Sequence, residues 1–358
     1  MEYQRLDDRR GVILDTEWIR TDTLLHWLKY CDKHHRGHCT GRPEWLTISN
    51  PLRILLIDVQ QECLVEGSID VDYFALSYVW GYLGHTLETR KGNLEILKKA
   101  GSLKTEMEDT MIPETIKDSI RLVRKLGCQF LWVDRLCIVQ DDEENKKKHI
   151  DAMGSIYSQA YCTIVDAGGS NAGFGLPGVG NGSKPRNYPK QHVLDFPGCP
   201  MLLVHSEVNP SHDSVWSTRG WTFQEEKLSK RQLVFGKNTV SYDCSQDHRD
   251  EYVTEPVNSK VVLKTKISMI PDLKEWTNSV ANYNRRNLTF DDDTRNAFAG
   301  FEEVLRPYYP GGFCYGLPVC YFDIGLLWRP GTRFRRRHSS VGKESNYLPS
   351  WSWMGWQG

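Results

Sequence analysis

Two cysteines and three histidines lie within one short segment and could bind a metal ion. The segment reads Cys31-x-x-His34-His35-x-x-His38-Cys39, and on a helix Cys31, His35 and Cys39 would share one face. A structural zinc ion normally takes four ligands from two separated pairs, and no second pair stands nearby in the sequence. We therefore expect no metal site and interpret the segment as a half-buried helix end. Zinc binding through the three residues remains the alternative.

A glycine-rich segment at 173–178, with the sequence GFGLPG, matches the G-x-G-x-x-G letters of a phosphate-binding loop. A dinucleotide site also needs a helix to begin there, because the helix N-terminus binds the pyrophosphate. Pro177, Gly178 and Gly180 disfavour such a helix, and the sequence contains no G-x-x-x-x-G-K-[ST] segment. Both common nucleotide-binding folds are therefore disfavoured.

The overall charge gives no reason to expect binding to nucleic acid. The 358 residues carry a formal net charge of −1, from 45 basic and 46 acidic side chains. The run at 333–337, RFRRR, is a local basic cluster, which we interpret as a solvated loop. Nucleic-acid binding is therefore the least favoured class of function.

The sequence also indicates a cytoplasmic protein. Its N-terminus lacks the apolar stretch of a secretory signal, and no run of about eighteen apolar residues predicts a membrane span. Ten cysteines in 358 residues are too dilute for a disulfide scaffold. We expect neither a membrane span nor structural disulfides.

Alternating strand and helix patterns predict the elements that would position a site. Short apolar runs at 73–80, 130–133 and 161–165 are typical of buried strands, and helical patterns occupy 113–127 and 150–157 between them. This order predicts parallel strands joined by right-handed crossovers. An open α/β sheet binds its ligand outside the carboxyl ends of such strands.

The rest of the chain predicts a long loop, a hairpin and a helical C-terminal part. Residues 168–192 are rich in Gly, Asn and Pro, a hairpin turns near 236–238, and helical patterns follow from about 265. The last residues are rich in tryptophan and stop abruptly in an apolar run. We therefore expect the natural protein to continue past Gly358.

Three further stretches carry a family resemblance: 73–81 (YFALSYVWG), 131–142 (LWVDRLCIVQDD) and 217–225 (STRGWTFQE). In order and spacing they resemble the three motifs of the fungal heterokaryon incompatibility (HET) domain. Linking segments resemble the family at 112–116, 153–158, 175–178, 326–329 and 349–353. The resemblance covers about residues 50–357.

The resemblance implies a function in nonself recognition. HET-domain proteins trigger growth arrest and cell death when genetically different fungal cells fuse. The domain is also similar to Toll/interleukin-receptor (TIR) domains, many of which cleave NAD at the nicotinamide–ribose bond. The TIR features are a serine-bearing first strand, a loop after the second strand and a Trp-x-x-x-Glu helix, which correspond here to 76–78, 134–142 and 221–225. The sequence departs from TIR domains in a long insertion near 167–216.

The resemblance implies Glu225 as the catalytic carboxylate, with NAD as the substrate and no cofactor. Nicotinamide leaves as a neutral molecule, so one carboxylate that stabilises the oxocarbenium-like ribosyl centre is chemically sufficient, whereas ordinary glycosides need two carboxyl groups. On a helix Trp221 and Glu225 would share a face. The implied substrate-binding residues are Ser77, Tyr78, Trp80, Asp134, Arg135, Asp141, Arg219 and Trp221.

Two alternatives compete with this site. Thr222-x-x-Glu225 also fits a capping box, in which the glutamate satisfies the helix N-terminus. The domain could also be a non-catalytic signalling module that acts through protein–protein contacts. The expected partners besides NAD are further copies of the chain and other incompatibility proteins.

The expected fold is α/β, with a TIR-like parallel βαβαβ core flanked by helices. It comprises an N-terminal extension at 1–50 with the Cys/His segment, the HET core at 51–245 with the insertion near 167–216, and a helical elaboration at 246–358.

Overall fold

A central β-sheet, whose strands alternate with helices along the chain, organises the fold. In this computed structural model the described residues are 2–5, 11–35, 37–40, 52–105, 111–180, 182–196, 199–204, 213–253, 270–331, 333–338 and 348–358. Residues 41–50 of the expected N-terminal extension and 205–212 of the insertion lie outside them.

The strands are β1 (Glu2–Arg5), β2 (Arg53–Asp58), β3 (Cys63–Ser68), β4 (Tyr73–Ser77), β5 (Phe130–Trp132), β6 (Cys162–Asp166), β7 (His192–Phe196), β8 (Cys199–Val204), β9 (Arg231–Phe235), β10 (Val240–Cys244), β11 (His248–Asp250), β12 (Phe313–Cys314), β13 (Leu317–Pro318), β14 (Arg335–Arg336) and β15 (Trp356–Gln357). The helices are α1 (Thr21–His34), α2 (Leu94–Leu97), α3 (Glu114–Lys125), α4 (Asp134–Cys137), α5 (Glu143–Asp151), α6 (Met153–Gln159), α7 (Thr222–Leu228), α8 (Leu273–Asn284), α9 (Asn296–Leu305) and α10 (Phe322–Gly325).

Within the described chain the central sheet has eight strands in the order β11-β10-β9-β6-β4-β5-β2-β3. The inner strands β5, β4, β6 and β9 are parallel, whereas β2–β3 and β10–β11 flank them as antiparallel pairs. Numbered along the chain, the parallel strands stand in the order second, first, third, fourth. Doubly wound α/β folds with this order place their ligand site between the first and third strands, here β4 and β6. The α/β prediction and the parallel core are confirmed.

Strand β4 and helix α3 form where the sequence predicts them. All five residues of β4 are buried, as the near-continuous apolar run of a parallel strand covered on both faces requires. Helix α3 begins after Pro113 and buries Ile116, Ile120 and Val123 at helical spacing. Gly127, with φ +75°, follows the helix in the left-handed conformation that often ends one.

The insertion forms a long loop followed by a hairpin. Strands β7 and β8 pair with each other, and β8 pairs with β1 in a separate three-stranded sheet within the described residues. Arg186 secures the loop, because its guanidinium forms a buried ion pair with Glu251 and donates to the carbonyl oxygen of Asp15. The insertion therefore folds beside the central sheet and does not interrupt it.

The C-terminal part packs as a second, aromatic core. Phe223 of α7 stacks on Phe298 of α9 with ring centroids 5.5 Å apart, and Phe298 lies 5.1 Å from the ring of Trp353. Trp353 is 1% exposed. This tryptophan of the C-terminal run is therefore core, and does not supply an exposed surface for self-association.

The basic cluster at 333–337 is held by structure. Arg335 pairs with Asp291 at 2.7 Å, and the buried Arg337 donates to Thr294 Oγ1 at 2.7 Å and to Asn284 Oδ1 at 2.9 Å. The interpretation of the whole cluster as a solvated loop was therefore wrong, because these guanidinium groups connect the C-terminal strand to the 284–294 segment.

Helix α1 packs into the same hydrophobic core as the central sheet. Its buried face consists of Leu24, Trp27, Leu28 and Cys31. Among the described helices, none is long and apolar enough to cross a membrane.

Candidate functional site

The carboxyl end of β4 is joined to helix α7 by a buried polar contact. Ser77, the last residue of β4, donates its hydroxyl proton to Glu225 Oε2 and accepts a hydrogen bond from Trp216 Nε1 at 2.7 Å. Ser77 is 1% exposed and Glu225 is 6% exposed. The sheet thus presents a buried carboxylate beside its switch point, the position where such folds bind ligands.

The capping-box interpretation of Glu225 is wrong. Thr222 is the first residue of α7, and its hydroxyl donates to the carbonyl oxygens of Trp216 and Arg219 at 2.7 and 2.8 Å. The N-cap position is taken by Trp221, and no side chain of the described chain caps this helix. Glu225 therefore faces the sheet, because tertiary contacts at Ser77 and Trp216 override the local capping pattern.

A second carboxylate lies at the neighbouring strand end. Asp134, the first residue of α4, accepts a hydrogen bond from Trp80 Nε1 at 2.7 Å and from its neighbour's backbone N–H at 2.7 Å. The guanidinium of Arg135 lies over the Trp80 ring, 4.2 Å from its centroid, a cation–π arrangement that fixes the side chain. Ser77, Trp80, Asp134 and Arg135 therefore converge at the carboxyl ends of β4 and β5, as the sequence predicts.

The two carboxylates influence each other's protonation. Burial raises the pKa of Glu225 to about 7; the hydrogen bond from Ser77 opposes this, the charge of Asp134 adds to it, and Arg219 lowers it. Burial likewise raises the pKa of Asp134, against the hydrogen bond from Trp80. A carboxyl group with its pKa near neutrality is typical of a group that exchanges charge during function, although structural networks also produce such shifts.

Two buried polar atoms beside these carboxylates lack hydrogen-bond partners among the described residues. They are the Tyr78 hydroxyl and Arg135 Nε, on side chains that are 4% and 6% exposed. Buried polar groups normally have a partner, whether protein, water or ligand. Together with Glu225, these two atoms mark a place where a polar ligand could bind.

The remaining expected binding residues are arranged differently. Arg219 is half-buried at the start of the segment that leads into α7, and forms an isolated β-bridge with Asn287. Trp221 packs between the two cores and donates from Nε1 to Asp293 at 3.3 Å. Asp141 is exposed and accepts from the backbone N–H of Lys91 at 2.8 Å. The described contacts of Asp141 and Trp221 are thus made away from Glu225.

Two residues of the site were missed by sequence reasoning. Trp216 supports Ser77, and Tyr157 of α6 donates to the Leu76 carbonyl oxygen at 3.0 Å. Both lie in or next to segments that carry the family resemblance, and that proximity was the available signal. Their donors could not be assigned without the tertiary structure.

The glycine-rich segment docks on helix α3 and has no helix of its own. The backbone N–H of Gly175 donates to Thr115 Oγ1 at 3.1 Å, and that of Leu176 donates to Asp118 Oδ2 at 2.8 Å. Between β6 and β7 the described residues contain no helix. The exclusion of a dinucleotide fingerprint here is therefore confirmed.

A group of possible metal ligands lies at the opposite, amino-terminal ends of the parallel strands. Cys31, His35 and Cys39 are joined there by Cys244, the last residue of β10. The expectation that the segment lacks a fourth ligand was wrong, because the tertiary fold supplies one from a distant strand.

Residues 73–225 match the family model described as heterokaryon incompatibility protein (HET). The chain contains a HET domain. Heterokaryon incompatibility protein 6, OR allele, of Neurospora crassa is 33% identical over 96 residues, which cover 26% of this chain and 14% of that protein. The chain thus spans a small part of this relative's length. No solved structure matches the chain.

The HET match begins at Tyr73, the first residue of β4, and ends at Glu225. It therefore contains Ser77, Asp134 and the other residues that converge at the carboxyl ends of β4 and β5. Helix α1 and strand β10, which hold the possible metal ligands, lie outside the match.

Proposed function

We propose that this HET domain is a cell-death effector of fungal nonself recognition that hydrolyses NAD at the nicotinamide–ribose bond. The observation that carries the proposal is the Ser77–Glu225 contact, which holds a buried carboxylate at the switch point of the sheet. The name of the Neurospora crassa relative, an incompatibility protein, supports the biological context.

The strand order supports a TIR-like reading of the core. A serine ends the first parallel strand, a short helix with Asp134 follows the second, and a Trp-x-x-x-Glu segment lies beside the first strand. These are the three features that the sequence resemblance implied for NAD-cleaving TIR domains. The 167–216 insertion does not oppose the reading, because Glu225 still reaches Ser77.

The proposed reaction needs one carboxylate and a water molecule. The bond between ribose C1′ and the pyridinium nitrogen breaks, its electron pair goes to nitrogen, and nicotinamide leaves neutral without protonation. The ionised carboxylate of Glu225 stabilises the oxocarbenium-like centre by its negative charge. Water then adds at C1′ and loses a proton, so the products are nicotinamide, ADP-ribose and H⁺.

Glu225 must be ionised for this step, and substrate binding would favour that form. In the free protein burial raises its pKa to about 7, so that near neutral pH a large fraction is protonated. The cationic nicotinamide ribosyl group would lower the pKa again, since a nearby positive charge favours the carboxylate. The rate of hydrolysis should therefore increase as pH rises through the pKa of Glu225.

The neighbouring side chains suit the rest of the substrate. Arg135 presents Nε from a guanidinium fixed over Trp80, which fits recognition of a phosphate oxygen. The Tyr78 hydroxyl can exchange hydrogen bonds with a ribose hydroxyl. Asp134 keeps the indole of Trp80 in place through the bond to Nε1.

The test compares two buried glutamates. Purified full-length chain is incubated with NAD, and released nicotinamide is quantified by chromatography for the parent, Glu225→Gln and Glu302→Gln. Burial also raises the pKa of Glu302 to about 7, but this residue lies on α9. We expect Glu225→Gln to lose ~100-fold or more, the usual cost of a preorganised charge, and Glu302→Gln to retain activity. A folded Glu225→Gln variant with parental turnover would refute the assignment.

A non-catalytic assembly module is the second candidate, favoured by the 6% exposure of Glu225. In that case the Ser77–Glu225 contact fixes α7 to the sheet, and the domain acts through other copies or other incompatibility proteins. Killing assays in a fungal host separate the two candidates. If the parent kills without hydrolysing NAD, and Glu225→Gln abolishes killing, the assembly function is supported.

A further inference from the structure

Three thiols and one imidazole come together although one of them is distant in sequence. The ligand atoms of Cys31, His35, Cys39 and Cys244 all lie within 4.8 Å of one another. The Sγ atom of Cys244 is 3.5 Å from Nδ1 of His35. The group stands outside the HET match and has no part in the site at Glu225.

These distances fit a tetrahedral metal centre. With Zn–S bonds of about 2.3 Å and Zn–N bonds of about 2.1 Å, the ligand atoms of a tetrahedral site lie about 3.6–3.8 Å apart. The Cys244–His35 separation of 3.5 Å already matches an edge of that tetrahedron. The longest separation, 4.8 Å, is about 1 Å above it, a difference that small side-chain rotations can close.

The backbone brings three of the ligands together locally. Cys31 lies in the last turn of α1, and the N–H of His35 donates to its carbonyl oxygen at 2.9 Å. The chain then turns, with Gly37 at φ +84°, so that the N–H of Cys39 reaches the His35 carbonyl oxygen at 3.1 Å. A glycine favours this left-handed conformation.

The fourth ligand comes from the central sheet. Cys244 ends β10, and its N–H donates to the Asp247 carbonyl oxygen at 2.9 Å, which fixes the strand end. Helix α1 is held there by further contacts: Asp32 pairs with Arg231 at 2.7 Å, and the Arg249 guanidinium lies 4.0 Å from the ring centroid of Tyr30. The ligands are therefore positioned by elements that already pack together.

We propose that Cys31, His35, Cys39 and Cys244 bind a structural Zn²⁺ ion that clips helix α1 to the end of strand β10. Three thiolates and one imidazole are a typical zinc set, and four protein ligands leave no open position for catalysis. The cysteines are 0%, 3% and 9% exposed, so the centre is shielded from solvent.

The surrounding charge fits such a centre. Three thiolates and one Zn²⁺ ion carry a net charge of −1, and Arg231 stands directly opposite Cys244 in the β9–β10 pair. Directly opposite residues of an antiparallel pair point to the same face of the sheet. The Arg231 side chain is 1% exposed, and its Nε and Nη1 atoms have no hydrogen-bond partner in the described part of the chain. An anionic zinc centre would offset this buried positive charge.

Metal analysis of the full-length chain tests the inference without any use of NAD. Protein purified without chelators or a metal-affinity tag should contain about one zinc per chain by elemental mass spectrometry. Cys244→Ser should lose most of that zinc. The matched control is Cys63→Ser, because Cys63 is also buried, at 2% exposure, but lies in β3 outside the group. The control should keep its zinc.

Cobalt substitution gives a second measurement that does not require a destabilised variant to fold. Replacement of the bound zinc of the parent by Co²⁺ should give the sulfur-to-cobalt charge-transfer and visible bands of a tetrahedral thiolate site. His35→Cys should retain metal, because four thiolates also form a zinc site, whereas His35→Ala should lose affinity. Retention in His35→Cys is not expected if His35 is only a packing residue.

Two results would overturn the inference. One is a reduced parent protein that contains no zinc and develops no tetrahedral cobalt spectrum when Co²⁺ is added. The other is a disulfide between two of these cysteines in the native protein, shown by a mass lower by two hydrogens and by a linked peptide after digestion. Failure of NAD hydrolysis would leave this inference unaffected.

Discussion

The two ends of the parallel strands carry opposite kinds of chemistry. At the carboxyl ends, Ser77, Asp134 and Glu225 form a network of oxygen and nitrogen groups with raised carboxyl pKa values. At the amino ends, the Cys31–Cys244 group consists of sulfur and imidazole ligands, which prefer soft or borderline metals. One end can change its charge during a reaction, whereas a closed metal centre would only hold elements together. The sheet thus separates a site suited to catalysis from a site suited to stability.

Each end should therefore fail in its own way. We expect Cys244→Ser to lower the melting temperature by several degrees while the folded fraction keeps its NAD hydrolysis, because a bound metal stabilises only the native state. Glu225→Gln should do the reverse, with turnover reduced ~100-fold and melting little changed at neutral pH. Thermal unfolding and nicotinamide release on both variants check this. Loss of turnover in folded Cys244→Ser would show that the two ends are coupled.

Ser77→Ala should weaken the carboxyl end in a graded manner. The substitution leaves Trp216 Nε1 without its acceptor and removes the hydrogen bond that lowers the pKa of Glu225. The free energy of unfolding should fall by about 1–3 kcal/mol, the usual cost of a buried unsatisfied group. The pH profile of hydrolysis should also move to higher pH. Chemical denaturation and a rate series across pH measure the two effects, and Ser119→Ala in α3, another buried serine, is the control.

The pH dependence of stability should be the smallest and most specific difference. The pKa of Glu225 is raised from 4.5 to about 7 by burial, so its contribution to stability is complete below about pH 4.5 and is lost as pH rises through 7. The loss amounts to at most about 3 kcal/mol. Glu225→Gln should therefore unfold with a flatter pH dependence than the parent. Urea titrations at pH 5 and pH 8 test this, and parallel curves for the two proteins would contradict it.

The central elements were predictable because their signals are local. The apolar run of β4 and the helical spacing of Ile116, Ile120 and Val123 in α3 depend on neighbouring residues only. The convergence of Trp80 and Asp134 also followed, since parallel strands align their carboxyl ends.

The missed contacts are those that local patterns cannot encode. Cys244 reaches Cys39 only because β10 pairs beside β9 at the edge of the parallel strands, a register that spacing does not reveal. The capping pattern at Thr222 failed for a related reason, because Ser77 binds Glu225 from a distant strand. In both places a long-range contact decided the role of a residue whose own segment suggested another.

Helix α7 shows that the functional unit is longer than the sequence match. The match ends at Glu225, in the middle of a helix that runs from Thr222 to Leu228. One face of this helix supplies Glu225 to the sheet, while Phe223 stacks on Phe298 far downstream. The neighbouring strand β9 also lies beyond the match. A fragment cut at the match boundary would leave Phe223 without its aromatic neighbours and the sheet without its fourth parallel strand. Transplantation of this domain into another protein must therefore carry the downstream chain with it.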